Sequence, residues 1–219
     1  MSENAVKLVW ITPSPQEQIM YCARVSSPHR QDCGDVRLLD YCIRHGHWSP
    51  FEMASMCLEI NTTRAISAQI IRHRSFHFQE FSQRYAEVPA APIVPRQRVK
   101  AKTNRQGSLE AELTQAQRAL AERAETLVDR IWDTYKDMIE AGIAPETARN
   151  VLPMCSSTRL YMAGTIRDWL HYTAVRIQQD TQQEHRAIAE ATREILAKEV
   201  PAIWSSYARV WLDRHEKKD

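Results

Sequence analysis

Apolar and polar residues alternate with a period of two from Val6 to Thr12, which puts Val6, Leu8 and Trp10 on the inward face of a short strand. Ser14-Pro15-Gln16-Glu17 follows, with serine at the N-cap, proline at the first helical position and glutamate at N3, so a helix starts there. A helical period gathers Val36, Leu39 and Ile43 on one face between Asp35 and His45, and Gly46 is placed to close that helix. Ser49-Pro50 breaks the chain. Phe51 to Asn61 then reads as a second strand, with Met56, Leu58 and Ile60 alternating against polar neighbours. Thr62 or Thr63 caps another helix, anchored by Ile66 and Ile70, on which Gln69, Arg72 and His73 share a different face at i, i+3 and i+4.

Prolines and basic residues dominate from Pro89 to Gly107, which predicts a loop. Ser108 to Ala141 carries the stripe of a long amphipathic helix (Leu113, Leu120, Leu127, Ile131, Met138), and Gly142 ends it. That stripe packs within the chain or against another subunit. Pro145 opens a short helix that Pro153 stops, Ile166 to Arg176 is helical, and Thr181-Gln-Gln-Glu184 is a capping box for a helix from Gln182 to about Lys198. No repeat appears. The order of strands and helices argues an α+β fold rather than repeated βαβ units.

Composition narrows the function classes. With 29 basic and 27 acidic residues the net charge is only +2, so positive charge is local and the surface as a whole is not that of a nucleic-acid binder. No apolar run approaches a membrane span, and the N-terminus lacks a charged-then-apolar signal pattern. Cys22, Cys33, Cys42, Cys57 and Cys155 are odd in number and lack a CxxC pair, which fits reduced thiols in a cytoplasmic protein. Five glycines form neither GxGxxG nor GxxxxGK[ST], so any bound phosphate must be held by side chains.

The local charge lies in Arg72 to Tyr85, RHRSFHFQEFSQRY, where three arginines and two histidines stand among three phenylalanines. Guanidinium groups offer a planar fork of donors at any working pH, so the cluster suits an anionic, planar ligand. A second set, Arg149, Arg159, Arg167 and Arg176, lies far along the chain. Arg167 and Arg176 are separated by roughly two and a half helical turns and cannot meet one point from one face. His45, His47, His73 and His77 invite a metal reading, but Arg72 and Arg74 flank His73 and would repel a divalent cation. Cys155 near Arg159 invites a thiolate nucleophile, set against a small buried apolar residue. Ser82 has no strained turn of the G-x-S-x-G type, so it suits a hydrogen bond to phosphate.

Arg72-His73-Arg74, seven residues and then Ser82, followed by Arg84-Tyr85, resembles the signature of flavin-dependent thymidylate synthases. Ala23-Arg-Val-Ser26, His45-Gly-His47 with Ser49-Pro-Phe-Glu52, Ala148-Arg149 with Val151-Leu-Pro153, and Arg167 to Arg176 fall in that family's order. The resemblance implies one domain over residues 1–219 with a mixed sheet, flanking helices and the long amphipathic helix, assembled as a homotetramer. It implies reductive methylation of dUMP to dTMP, with 5,10-methylenetetrahydrofolate as carbon donor and NADPH as hydride source through FAD. By position, Gln69, Arg72, Glu80, Ser82, Gln83, Arg84, Arg149 and Arg176 match the dUMP contacts, and Arg176 the catalytic residue that polarises the uracil at N3. Ser26, His47, Ser49, Arg72, His73, Arg74, Glu80, Thr165, Arg167 and His171 match the FAD side, and no metal is implied.

Five positions depart from the family's common residues, all on the flavin side. His77 stands for serine, Gln79 for asparagine, Met53 for histidine, and Thr165 and His171 for asparagines. Two rival readings stay open at this point. One is an inactive homologue. The other is an RNA- or nucleotide-binding module using Arg72, Arg74, Arg84, Arg96 and Arg98, with Phe76, Phe78 and Phe81 as stacking platforms.

Overall fold

In a computed structural model that describes residues 5–105 and 107–212, the chain opens with strand β1 (Val6–Ile11), helix α1 (Pro15–Ala23) and helix α2 (Arg37–His45). Strand β2 (Ser55–Thr63), helix α3 (Arg64–Ile70) and strand β3 (His77–Glu80) follow. A two-residue hairpin, β4 (Val99–Lys100) with β5 (Ser108–Leu109), precedes the long helix α4 (Gln115–Glu140) and the short α5 (Pro145–Ala148). Strand β6 (Ser157–Thr165) and helices α6 (Ile166–Arg176), α7 (Gln183–Glu199) and α8 (Pro201–Tyr207) complete it.

Four strands form one sheet in the order β1-β2-β6-β3. The α+β class holds, but every pairing in that sheet is antiparallel, so it is not the mixed sheet expected. Its register puts Leu58 opposite Met162 and Ile60 opposite Leu160, so large apolar residues of the two central strands share a face. Helices α1, α2, α3, α6, α7 and α8 bury that face, contributing Ile19, Leu39, Ile66, Trp169, Ile188 and Ile203 to one continuous core. A smaller cluster of Val88, Tyr135 and Ala148 ties α4 and α5 to the chain after β3.

Several local expectations change for identifiable reasons. Trp10 does not face inward, because the β1–β2 register slips between Leu8 and Trp10 and turns Ile11 into the core instead. Helix α1 starts at Pro15 as expected, yet Ser14 is left-handed (φ 44°) and its side chain caps nothing. Residues 49–52 form a 3-10 turn that buries Phe51, so β2 begins only at Ser55. Residues 108–109 pair as strand, and the capping box of α4 is Thr114 with Gln117. The cap of α7 is Gln182, while the Thr181 hydroxyl reaches the Val175 carbonyl at 3.4 Å. Gly46 and Gly142 close α2 and α4 with φ of 71° and 80°, as their positions predict.

Candidate functional site

The end of α3 aims the motif. The helix stops at Ile70, and the His73 amide bonds to the Ile70 carbonyl at 3.0 Å in a tighter turn. Gln69, Arg72 and His73 therefore do not stand on one regular helical face. A further turn, with the Phe76 amide on the His73 carbonyl at 3.2 Å, feeds the chain into β3. The Phe76 ring then packs close to the backbone of β6, where a Cβ on Gly164 would come within 2.6 Å of it. Along β3 the pleat turns Phe78 and Glu80 inward and leaves His77 and Gln79 exposed.

His73 and Arg176, more than a hundred residues apart in the chain, meet directly. Arg176 Nε donates to His73 Nε2 at 2.9 Å. The His73 ring meets Tyr172, Phe76 and His185 edge-on. Burial, with the charges of Arg176 and His171, pushes the His73 pKa down to about 4, so its ring is neutral and can accept. Behind it, fully buried His185 shares a 3.2 Å hydrogen bond with the Tyr172 hydroxyl and is pushed down to about 3, by burial first and then by Arg176. Burial raises the Tyr172 hydroxyl pKa. The Nη atoms of Arg176 have no hydrogen bond among the described residues, so the guanidinium is held by one edge and offers the other.

Glu80 is fixed by three donors from two elements, α3 and β6. Its Oε1 accepts from Ser67 Oγ at 2.7 Å and Thr158 Oγ1 at 2.9 Å, and Arg64 Nη1 lies 2.6 Å away. Gln83 is buried, and its Nε2 has no partner among the described residues. Ser82 and Arg84 are exposed beside it, and Arg84 and Arg149 both reach Glu146, at 3.2 Å to its carboxylate and 3.3 Å to its carbonyl. Gln69 Nε2 donates to Gln182 Oε1 at 2.7 Å. Thus Gln69 and Arg176 border the turn after α3, Glu80 lies against the first turn of that helix, and Arg84 and Arg149 gather at Glu146.

On the expected flavin side, the side chains of Arg72 and Arg74 are exposed and make no hydrogen bond or ion pair among the described residues. Arg167 pairs with Glu52, joining the head of α6 to the turn that holds Ser49. The Thr165 hydroxyl donates to Asp168 at 2.6 Å and accepts the Asp168 amide, so it caps α6. His171 is exposed one turn further on. His47 is exposed and meets the rings of Tyr41 and His45; no hydrogen bond, ion pair or ring contact joins it or Ser26 to Arg72–Tyr85 among the described residues.

The histidines do not form a metal centre: no group of three or more His, Cys, Asp or Glu residues among those described is arranged to hold a metal. All five cysteines are free, and burial raises the Cys155 thiol while Arg159 turns to Asn61 at 3.0 Å, so no thiolate is favoured there. A base-stacking surface does not form either. Phe76 is buried, Phe78 packs on the core and Phe81 on the smaller cluster, and Arg98 is bound to Glu184. No helix among the described residues is long and apolar enough to cross a membrane.

Ser67, Thr158, Tyr172 and His185 carry structural weight at the site that the sequence did not reveal. Ser67 had one signal, a polar residue on the same apolar helix face as Ile66 and Ile70.

Arginines and a buried amide without partners among the described residues, beside a histidine gripping a third guanidinium, are the arrangement of a protein suited to planar, anionic ligands. Residues 7–202 match the family model described as thymidylate synthase complementing protein. The chain is 48% identical over 190 residues to a probable flavin-dependent thymidylate synthase of Paramecium bursaria Chlorella virus 1, covering 86% of this chain and 88% of that protein. It is 47% identical over 197 residues to the flavin-dependent thymidylate synthase of a Synechocystis strain, covering 87% and 88%. A crystal structure of the UMP/dUMP methylase PolB from Streptomyces cacaoi, bound with 5-Br dUMP, matches with a TM-score of 0.79 at 26% identity over 93% of this chain and 94% of that one. The chain belongs to the flavin-dependent thymidylate synthase family.

Proposed function

We propose that this chain catalyses the reductive methylation of dUMP to dTMP, with the pyrimidine nucleotide placed between Arg176 and the Ser82–Arg84–Arg149 group. The observation that carries the reading is the Arg176 fork, held at Nε by neutral His73 and open at both Nη atoms. Uracil C5 is a weak nucleophile until negative charge develops on its imide. A fixed guanidinium beside N3 stabilises that charge as it forms, and holding it in advance removes the cost of reorganising it. Ser82, Arg84 and Arg149 suit the 5′-phosphate, and the buried Gln83 amide supplies a donor with no partner among the described residues, which suits a ligand oxygen.

The residues present fit FAD. Arg72 and Arg74 have no side-chain partner among the described residues, and Arg167 joins the head of α6, with Thr165 and His171, to the turn that holds Ser49. When bound, FAD supplies the reducing hydride drawn from NADPH, while methylenetetrahydrofolate supplies the carbon. The chain's own task there is electrostatic: the Arg72 and Arg74 guanidinium groups would favour negative charge on the flavin ring edge, while Glu80, pinned by Ser67 and Thr158, ties β3 to α3 and β6.

The candidate residues lie on separate elements and, in Arg72, Arg74, Ser82 and Arg84, are exposed, which is compatible with sites shared between subunits, so a homotetramer is part of the proposal. The exposed Leu120 and Leu127 on α4 support an interface there. The deciding experiment supplies FAD, NADPH, methylenetetrahydrofolate and dUMP and measures dTMP. Arg176→Ala is expected to abolish turnover and leave the absorbance of bound FAD largely intact. Bound flavin with no dTMP from the native chain would leave the inactive-homologue reading, and loss of flavin in the variant would reassign Arg176.

A further inference from the structure

Gln69 is tied to a chain of side chains running away from the site. Its Nε2 donates to Gln182 Oε1 at 2.7 Å, and Gln182 Nε2 donates to Glu184 Oε2 at 2.9 Å. Glu184 in turn receives both arms of Arg98, at 2.7 and 2.9 Å. Arg98, only 11% exposed, also reaches Gln183 Oε1 at 2.8 Å and Ser108 Oγ at 3.0 Å, which pins the segment after Pro89 to the head of α7.

A glutamine amide can face either way, but here its direction is dictated from the far end. A guanidinium can only donate and a carboxylate can only accept. Burial opposes ionisation of Glu184, and the bonds from Arg98 and Gln182 outweigh it and keep the carboxyl below its ordinary pKa. Gln182 must therefore turn its NH2 to Glu184 and its oxygen to Gln69. Gln69 must spend its NH2 on that oxygen. What remains is Gln69 Oε1, which has no hydrogen-bond partner among the described residues.

We propose that Glu184, clamped by Arg98, is a positioning residue that fixes the Gln69 amide with its oxygen toward the ligand. The site then presents an acceptor there and selects a pyrimidine nucleotide through an N–H or O–H donor of the nucleotide. This rests on the reading in which Gln69 borders dUMP.

The test uses the FAD-loaded protein and reads the dUMP dissociation constant, KM, kcat and flavin absorbance together. Glu184→Gln puts a donor where only acceptors stood, so the amide chain loses its fixed direction. One hydrogen bond's worth of alignment is expected to go, raising the dUMP dissociation constant and KM about tenfold, with kcat and flavin absorbance within about twofold. Gln182→Ala cuts the same chain without touching the Arg98–Glu184 pair and should match it. The double variant should be no worse than either single one, because both act through one path. Unchanged dUMP affinity, additive losses, or a joint fall in kcat, flavin and thermal stability would overturn the proposal. If Glu184→Gln does not fold, Gln182→Ala decides it. A native chain that binds FAD and no dUMP would overturn the proposed function instead.

Discussion

Gly164→Ala tests whether the motif is shaped by the strand beneath it. A methyl group there would sit 2.6 and 2.7 Å from Phe76 Cδ1 and Cε1, where ordinary contact begins at 3.4 Å. The ring must retreat by about 0.8 Å in an interior packed too densely to yield freely. Phe76 is hemmed in by Trp169 at 4.7 Å between ring centres, Tyr172 at 6.0 Å and Phe78 at 6.3 Å. Overpacking of this kind costs about 1–3 kcal/mol. For a chain of this size that is a fall in Tm of roughly 2–12 °C, read by calorimetry or circular dichroism on the FAD-free protein. His73 stands edge-on to Phe76 at 6.4 Å, so the retreat also disturbs the Arg176 grip and should lower turnover. Phe76→Leu in the same chain lets the shortened side chain turn away from the new methyl and should recover part of the loss. A Tm unchanged within about 1 °C would refute the collision, since even the smallest overpacking cost exceeds it.

Acid should weaken the fold through His73 and His185, which stay neutral down to about 4 and about 3 against an ordinary 6.5. Unfolded, both take up protons near pH 6.5, so their contribution is complete above that value and is lost as pH falls toward 4, by at most about 1.4 kcal/mol per pH unit each. Urea unfolding at a series of pH values should show this slope, and His185→Gln should flatten it; an unaltered slope in that variant would refute the assignment. Tyr135→Phe removes the hydroxyl that accepts the buried Val88 amide at 2.9 Å, at a cost of about 1–3 kcal/mol, with faster hydrogen exchange at Val88 as the specific readout. Leu120→Lys with Leu127→Lys should shift the particle to a smaller species in light scattering if α4 lies at a subunit interface; no change in mass would remove that interface.

The hydropathy pattern located most helices because their apolar spacing is unambiguous. Ile166–Arg176 and the closing glycines of α2 and α4 are examples. It passed over β6, the strand at the centre of the site. Thr158, Leu160 and Met162 alternate cleanly there, but the run directly follows a proline-stopped helix and leads straight into α6. Trp10 misled because a bulge reverses the pleat, and no residue type in Leu8-Val9-Trp10 announces one. The capping rule succeeded in kind and failed in place: Thr181 is bypassed, while Thr165 and Asp168 form the box at α6. The motif's arginines were legible because three guanidinium groups crowd into fourteen residues of a chain whose net charge is only +2. Their partners were not. Ser67, Tyr172 and His185 are ordinary residues until the sheet brings four distant segments together.

The motif strand β3 is the last strand of the sheet, paired on one side only. Its inward residues, Phe78 and Glu80, are locked by the core and by Glu80's three donors, while His77 and Gln79 hang on the outward pleat. Those two are among the positions where the chain differs from its family's common residues, and Met53 and His171 are exposed as well. A border strand thus separates what must be kept to fold from what can be altered to retune a ligand. A substitution at His77 or Gln79 therefore changes the exposed rim of the strand without touching the packing of Phe78 or the bonds to Glu80.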